Sequence, residues 1–285
     1  MIDRPPTWLL DFKADVHSQA GEDGVLGKIL ELLPAADRWC VEFGAWDGAY
    51  FSNTRHLIES RGYSAVLIEP DPGRYAGLCR NYREVPRVIP VNRAVGFTPA
   101  DGLDTILRGT PVPTDFDLLS IDIDGNDYHA WEAVTYRPKV VCVEFNPTIP
   151  TGVRFVQPAD PRIAQGTGIT PLAELGKAKG YELVAVLDFN AVFVRAEYFP
   201  LFGIRDNRPD ALRTCHAYVT HLFTGYDGTV FLAGNRRLVW HDLPLEAGRM
   251  QLLPRWLRAY PAHYGPVRRR LVAALRWLRG AGGPG

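Results

Sequence analysis

The stretch Val41-Glu42-Phe43-Gly44-Ala45-Trp46-Asp47-Gly48 runs out of an apolar segment into a turn that carries two glycines. A strand that ends this way reads as the first strand-to-turn unit of a nucleotide-binding α/β sheet. In such sheets ligands sit outside the carboxyl ends of the strands, and glycine lets the backbone come close to a bound molecule. A second apolar run, Leu67-Ile68, closes on the acid Glu69 and then Pro70. The working site is therefore expected on Glu42, Gly44, Asp47, Gly48 and Glu69. A dinucleotide-binding turn would follow G-x-G-x-x-G, and Trp46 stands where its second glycine belongs, which argues against a nicotinamide enzyme.

Working outward, apolar runs alternate with helix-like stretches from about residue 18 to 195, the pattern of a parallel sheet covered by helices on both faces. Helices are expected at 22–33, 53–61, 72–82, 102–107, 127–134 and 171–179. Strands are expected at 39–43, 64–69, 87–92, 117–122, 139–145, 182–188 and 191–195. Phe189 and Asn190 alone separate the last two runs, too few residues for a parallel crossover, so these two must form an antiparallel hairpin. The segment 147–170, rich in Pro, Gly and Thr, follows the fifth strand, where a loop can fold over a pocket mouth. The division expected is a sheet domain over 1–199 and an appendage over 200–285, with a hairpin-like stretch at 226–241, turn dipeptides Asp227-Gly228 and Gly234-Asn235, and a terminal helix at 266–279. Residues 280–285 read as disordered.

Composition narrows the class. With 285 residues and 46% apolar content the chain can bury a substantial core. Its 32 basic and 32 acidic residues balance, so the whole molecule carries no field that would call for a nucleic-acid partner. The balance is uneven, because residues 250–285 hold no acid and seven arginines. Cys40, Cys79, Cys142 and Cys215 show no C-x-x-C spacing and read as buried free thiols. No signal peptide and no apolar run near the ~20 residues of a membrane span are evident, so a cytoplasmic location is expected.

Taken with the strand order and the hairpin, several motifs resemble the S-adenosylmethionine-dependent class I methyltransferases, and within them the FkbM-like family. They are Ser18-Gln19-Ala20-Gly21-Glu22-Asp23-Gly24, the 41–48 stretch, Ser52-Asn53-Thr54, Leu67-Ile68-Glu69-Pro70-Asp71, and the run from Asp117 through Asp122, Ile123, Asp124, Gly125, Asn126 and Asp127 to Tyr128. The resemblance covers roughly residues 18 to 195 and departs at Trp46, where many such enzymes have a middle glycine. It implies a Rossmann-like sheet of five parallel strands plus a terminal antiparallel hairpin, with S-adenosyl-L-methionine as cofactor. The residues expected to bind the cofactor are Gln19, Glu42, Gly44, Ala45, Asp47, Gly48, Asn53, Glu69, Pro70 and Asp122. Glu69 would accept from the ribose hydroxyls. Glu42 and Asp47 either contact the methionine part or brace the turn. Ser52, Asn53 and Thr54 suit the cofactor carboxylate or a helix cap.

Asp122 and Asp124 stand two apart where a strand ends, so in extended geometry their carboxylates share a face. Glu144 and Asn146 repeat that spacing on the next strand. Asp122, Asp124, Glu144 and Asn146 together offer a hard-oxygen set for Mg²⁺, which would acidify an acceptor hydroxyl. The acidic run is similar to that of metal-dependent sugar O-methyltransferases of macrolide pathways. The alternative is that Asp122 binds cofactor or a substrate amine while Asp124 or Asp127 caps the next helix. Asp122, Asp124 and His129 are the catalytic candidates, His129 as general base or as a packing residue. The reaction expected is O-methylation of a small hydroxylated acceptor, such as a sugar or a natural-product intermediate, with N-methylation or a non-catalytic cofactor-binding module as alternatives. The basic terminal helix suits an anionic membrane surface, an acidic substrate, or docking on its own domain or on a sister subunit in a homo-oligomer.

Overall fold

The structure, a computed structural model, describes residues 3–34, 37–278 and 280. The chain divides into two compact units, one running through Cys215 and the other beginning at His216.

The first unit is built on a seven-stranded sheet. In chain order its strands are β1 (Trp39–Phe43), β2 (Ser64–Ile68), β3 (Val88–Val91), β4 (Leu118–Ile121), β5 (Val140–Glu144), β6 (Tyr181–Val186) and β7 (Asn190–Arg195). They lie in the order β3-β2-β1-β4-β5-β7-β6. The first five are parallel, and β7 pairs antiparallel with both β5 and β6. This is the Rossmann-like sheet expected from the sequence, five parallel strands finished by an antiparallel hairpin. Its strand order reverses between β1 and β4, the place where open α/β sheets form a crevice.

Alternation along each buried strand divides the core in two. Cys40, Ala65, Leu67, Leu118, Val140 and Cys142 face one side, packed with residues of α1 (Glu22–Leu32), α2 (Arg55–Arg61) and α3 (Pro72–Tyr82). Val41, Phe43, Val66, Ile68, Leu119 and Val141 face the other, packed with α4 (Leu103–Leu107), α5 (Asp127–Ala133) and α6 (Ile169–Ala178). Strands covered on both faces read as near-continuous apolar runs, which is why the sequence shows them so plainly. The helices start and stop on local chemistry. Pro72 opens α3 behind Asp71, whose carboxylate accepts from the Arg74 N–H, and Gly62, with φ of 69°, closes α2.

At the amino ends of the strands, buried Lys139 reaches Asp117 and Asp37, each at 2.7 Å, and Asp117 also accepts from the Asp37 and Arg38 backbone N–H groups. Removing one partner of such a buried pair costs about 3–5 kcal/mol, so this network ties the entries of β1, β4 and β5. The four cysteines are free; Cys40 and Cys142 are buried, while Cys79 and Cys215 are only partly so.

The first unit continues past residue 199. Phe202, Ile204 and Leu212 are buried, and bridges join Arg4 to Ile204 and Val186 to Arg213, with the short α7 (Pro209–Leu212) between. The second unit holds a hairpin of β8 (Thr220–Thr224) and β9 (Val230–Gly234), turned at Asp227-Gly228 with Gly228 at φ of 82°. Gly234-Asn235 does not turn a second hairpin with these strands. It ends β9, and a two-residue pair, β10 (Arg237–Leu238) with β11 (Leu243–Pro244), follows. The terminal helix is α8 (Pro266–Leu278). Arg279, expected in that helix, and residues 281–285 lie outside the described residues. Among the described residues no helix is long and apolar enough to cross a membrane.

Candidate functional site

The sheet order sets the carboxyl ends of β2, β1, β4 and β5 side by side, and with them Glu69, the Gly44–Gly48 turn, Asp122 and Glu144. The turn after β1 is held from several directions. Gly44 has φ of 79° and Gly48 of 70°. A Cβ on Gly44 would lie 1.5 Å from the Asp122 carbonyl oxygen, and one on Gly48 would meet Tyr82 and Leu78 at 2.5 and 2.6 Å. Both glycines are thus required by protein packed against them, whereas the sequence suggested room for a ligand. Asp47 braces the turn, its carboxylate accepting from the Ala49 and Tyr50 N–H groups at 2.9 and 2.8 Å.

Trp46 also occupies the left-handed region, with φ of 52°. Its indole stays half-exposed, with the Arg74 guanidinium 3.3 Å from the ring centre and Tyr50 next to it. The Trp46 backbone N–H donates to Glu69 at 2.9 Å, and the other Glu69 oxygen accepts from the Asp71 backbone N–H at 2.8 Å. Each carboxylate oxygen has two acceptor positions, so one on each is left beyond these bonds, on a side chain that is itself buried. Ala45 is buried in the turn and Pro70 is exposed beside Glu69.

Glu42 is a bracing residue. Its carboxylate, almost fully buried, accepts from the Ser52 and Thr54 hydroxyls at 2.7 Å each and from the Asn53 N–H at 2.8 Å. Burial raises its pKa, and those three donors pull against the shift. The Asn53 amide donates to Ser120 at 3.1 Å, and Ser52 accepts from the Arg55 N–H at the start of α2. The Ser52-Asn53-Thr54 run therefore serves the turn and the helix start. Gln19 is exposed, in a loop organised by Asp23, which accepts from the Val16, His17 and Ser18 N–H groups.

After β4 the chain does not stay extended. Asp124 adopts φ of 57°, yet the carboxylates of Asp122, Asp124 and Glu144 come within 4.8 Å of one another. No ion pair reaches any of the three among the described residues. Burial raises the pKa of Asp122 well above the usual range, and Asp127, Asp124 and Glu42 push it further. Glu144 is raised by burial and then by Asp122, Asp127 and Asp124. Such a cluster stabilises a nearby positive charge, and its oxygens are of the kind that hold Mg²⁺. Asn146 does not join them. Its amide donates to the Gln165 carbonyl at 2.8 Å and its oxygen accepts from the Thr148 N–H and hydroxyl at 2.9 and 2.6 Å.

Asp127, at the start of α5, closes the acidic turn by accepting from the Ile123 and Gly125 N–H groups, both at 2.9 Å. Burial pushes its pKa up to about 6 against the pull of those bonds. A carboxyl with a raised folded pKa binds protons more readily folded than unfolded, so its contribution to stability declines as pH rises from about 4 to about 6 and is level beyond. Asp127→Ala leaves two amides of the turn without their acceptor and is expected to destabilise the protein by about 2 kcal/mol. Urea melts at pH 7 measure this, and an unchanged midpoint would count against the bracing role.

His129 faces elsewhere. Its Nε2 lies 2.8 Å from the Gln157 carbonyl oxygen, its Nδ1 3.8 Å from Glu132, and its ring packs on Phe97 and Tyr128. These contacts make it a tether for the 147–170 segment. That segment is ordered by Gln157, a buried side chain that no motif or spacing singles out. Its oxygen accepts from the Gln165 and Gly166 N–H groups and its nitrogen donates to Ile163, each at 2.8 Å. Asn126 donates to the Asp160 carbonyl, and a Cβ on Gly125 would lie 3.0 Å from the Ile163 oxygen. The loop therefore packs directly on the acidic turn. Buried Arg213 holds its near end through the Pro147 and Ile149 carbonyls.

Comparison with known proteins finds no matching family model and no matching curated protein. Solved structures do resemble the chain. Precorrin-6y C5,15-methyltransferase from Geobacter metallireducens is 19% identical, with 64% of this chain and 89% of that one covered and a TM-score of 0.37. TrmK of M. capricolum, in complex with S-adenosyl-homocysteine, is 9% identical over 59% and 65% of the two chains, with a TM-score of 0.36. The N-terminal domain of EvdMO1, in the presence of S-adenosyl-homocysteine and D-fucose, is 12% identical over 64% and 84%, with a TM-score of 0.41. At these values the likeness is too distant to carry an argument about activity, which rests on this chain's own residues.

Proposed function

We propose that the chain is an S-adenosylmethionine-dependent methyltransferase of the FkbM-like kind. It O-methylates a small hydroxylated metabolite, a sugar or a natural-product intermediate, with a divalent cation held by Asp122, Asp124 and Glu144. One juxtaposition carries this reading. A braced glycine turn after β1, an acid with free acceptor positions after β2, and three clustered carboxylates at the ends of β4 and β5 meet at the reversal point of the sheet.

The donor set fits both groups. Glu69 presents the two acceptor positions that a ribose diol needs, and the acidic cluster suits a hard cation. When bound, the metal acts as a Lewis acid that lowers the pKa of an acceptor hydroxyl. The chain's own part is positional. Glu42, Asp47 and Asp127 hold the two strand-end turns rigid, Asp122 joins the carboxylate cluster to the turn through its backbone carbonyl against Gly44, and the 147–170 segment packs on the acidic turn. In a displacement where the sulfonium charge disappears, such fixed placement of donor and acceptor supplies much of the acceleration.

Calorimetry with S-adenosylmethionine and with its demethylated product tests cofactor binding. Wild type is expected to give saturable heat, and Glu69→Ala to weaken binding roughly 10- to 100-fold, the worth of hydrogen bonds to a charged group. Unaltered affinity in a folded Glu69→Ala protein would remove Glu69 from the site. An absence of heat with either ligand in well-folded wild type, with no nucleoside already bound, would end the methyltransferase reading.

A further inference from the structure

The helix α8 has two apolar lines of different standing. Val272 and Leu275 line a pocket of about 350 Å³ within the second unit, together with Tyr226, Leu253 and Tyr264. Arg268 adds a hydrogen bond to the Trp256 carbonyl at 3.0 Å. Val267, Leu271, Ala274 and Leu278 recur at i, i+4, i+7 and i+11 and make a separate line along the same helix. That second line is open: Val267 is 71%, Leu271 39% and Leu278 70% exposed, and Trp277 at its margin is 82% exposed.

Charge says what covers it. Residues 216–285 contain ten arginines, no lysine and three acids, a net charge of +7 in a chain whose total is zero. Arg268, Arg269 and Arg270 stand at the start of α8, where the positive end of the helix dipole disfavours them unless anions are near. A second copy of so basic a unit would be repelled by this one. At 13 residues the helix is about 20 Å long, too short to span a bilayer's ~30 Å hydrocarbon layer but long enough to lie on it.

We propose that α8 docks the chain on an anionic membrane surface. Val267, Leu271, Ala274 and Leu278 enter the upper acyl region, Trp277 sits at headgroup depth, and Arg270, flanking that line, reaches the lipid phosphates, while Arg269 on the far face adds to the unit's overall attraction to the anionic surface. The pocket-facing line, Val272 and Leu275, keeps the helix attached to its unit meanwhile.

Co-sedimentation of the full chain with vesicles tests this, using phosphatidylcholine alone and an equimolar mixture of phosphatidylcholine and phosphatidylserine. Binding is expected to the mixture and not to phosphatidylcholine alone, and to fall as salt is raised. The double variant Arg269→Glu/Arg270→Glu is expected to lose at least roughly tenfold in partitioning. Trp277→Ala, a change at an exposed position, is expected to weaken binding while leaving the circular-dichroism melt unchanged. Sedimentation with neither vesicle, equal sedimentation with both, or full binding by the charge-reversed variant overturns the proposal. So does size-exclusion evidence that Trp277 holds together a dimer in the absence of lipid.

Discussion

Asp122→Asn is expected to slow methyl transfer by about two to four orders of magnitude while making the metal-free protein more resistant to heat. Both effects come from one cluster. Asp122 and Glu144 are held well above the ordinary carboxyl range, by burial first and by the neighbouring acids after it. Their folded forms therefore take protons more readily than their unfolded forms. The metal-free protein is favoured below the unfolded carboxyl values, about pH 4, and loses stability as pH rises from there through the raised folded values. An amide at position 122 removes one of the mutually repelling charges and relieves that loss, but under the proposed function it also removes a cation ligand. Turnover measured with and without chelator, beside thermal melts at pH 5 and pH 8 with and without Mg²⁺, separates the consequences. Wild type is expected to lose turnover to chelator and to gain thermal stability from Mg²⁺ at pH 8. Chelator-insensitive turnover would favour direct binding of an amine by Asp122, and with it the N-methyltransferase alternative.

Gly44→Ala is expected to cost more than about 4 kcal/mol and to leave little folded protein. Two penalties combine there. A positive φ disfavours any side chain by about 1–2 kcal/mol, and the added Cβ would collide with the Asp122 carbonyl oxygen at 1.5 Å, backbone that cannot swing aside. Gly62→Ala isolates the first penalty. It has φ of 69° and nothing within 4 Å of the new Cβ, so a loss near 1 kcal/mol is expected. Equal chemical-denaturation midpoints for the two variants would show that β1 and β4 do not approach each other as described.

The sheet could be read in the sequence because each of its determinants is local. Val41 and Phe43, or Cys142 and Val143, declare a buried strand by themselves, and Phe189-Asn190 leaves too little chain for anything but a hairpin. The strand-end positions of Glu69, Asp122 and Glu144 follow from those strands. The placement of Asp124 shows the limit: extended geometry was the expected reason for its meeting Asp122, and a left-handed turn is what the structure uses.

What a side chain does once it arrives was decided by partners far away in sequence. Glu42 accepts from hydroxyls ten and twelve residues on, His129 meets a carbonyl 28 residues on, and Asn146 meets one 19 residues on. None of these bonds has a period or a spacing that a linear pattern could betray. The extension of the first unit to Cys215 has the same origin, since Phe202, Ile204 and Leu212 are buried by residues hundreds of atoms away along the chain. In α8, which apolar positions dock and which remain open depends on where the β8–β9 turn and Leu253 come to rest. Periodicity belongs to the backbone and is written residue by residue. Hydrogen-bond ownership belongs to the packed molecule, because a buried polar group takes whichever partner the finished fold sets within 3 Å of it.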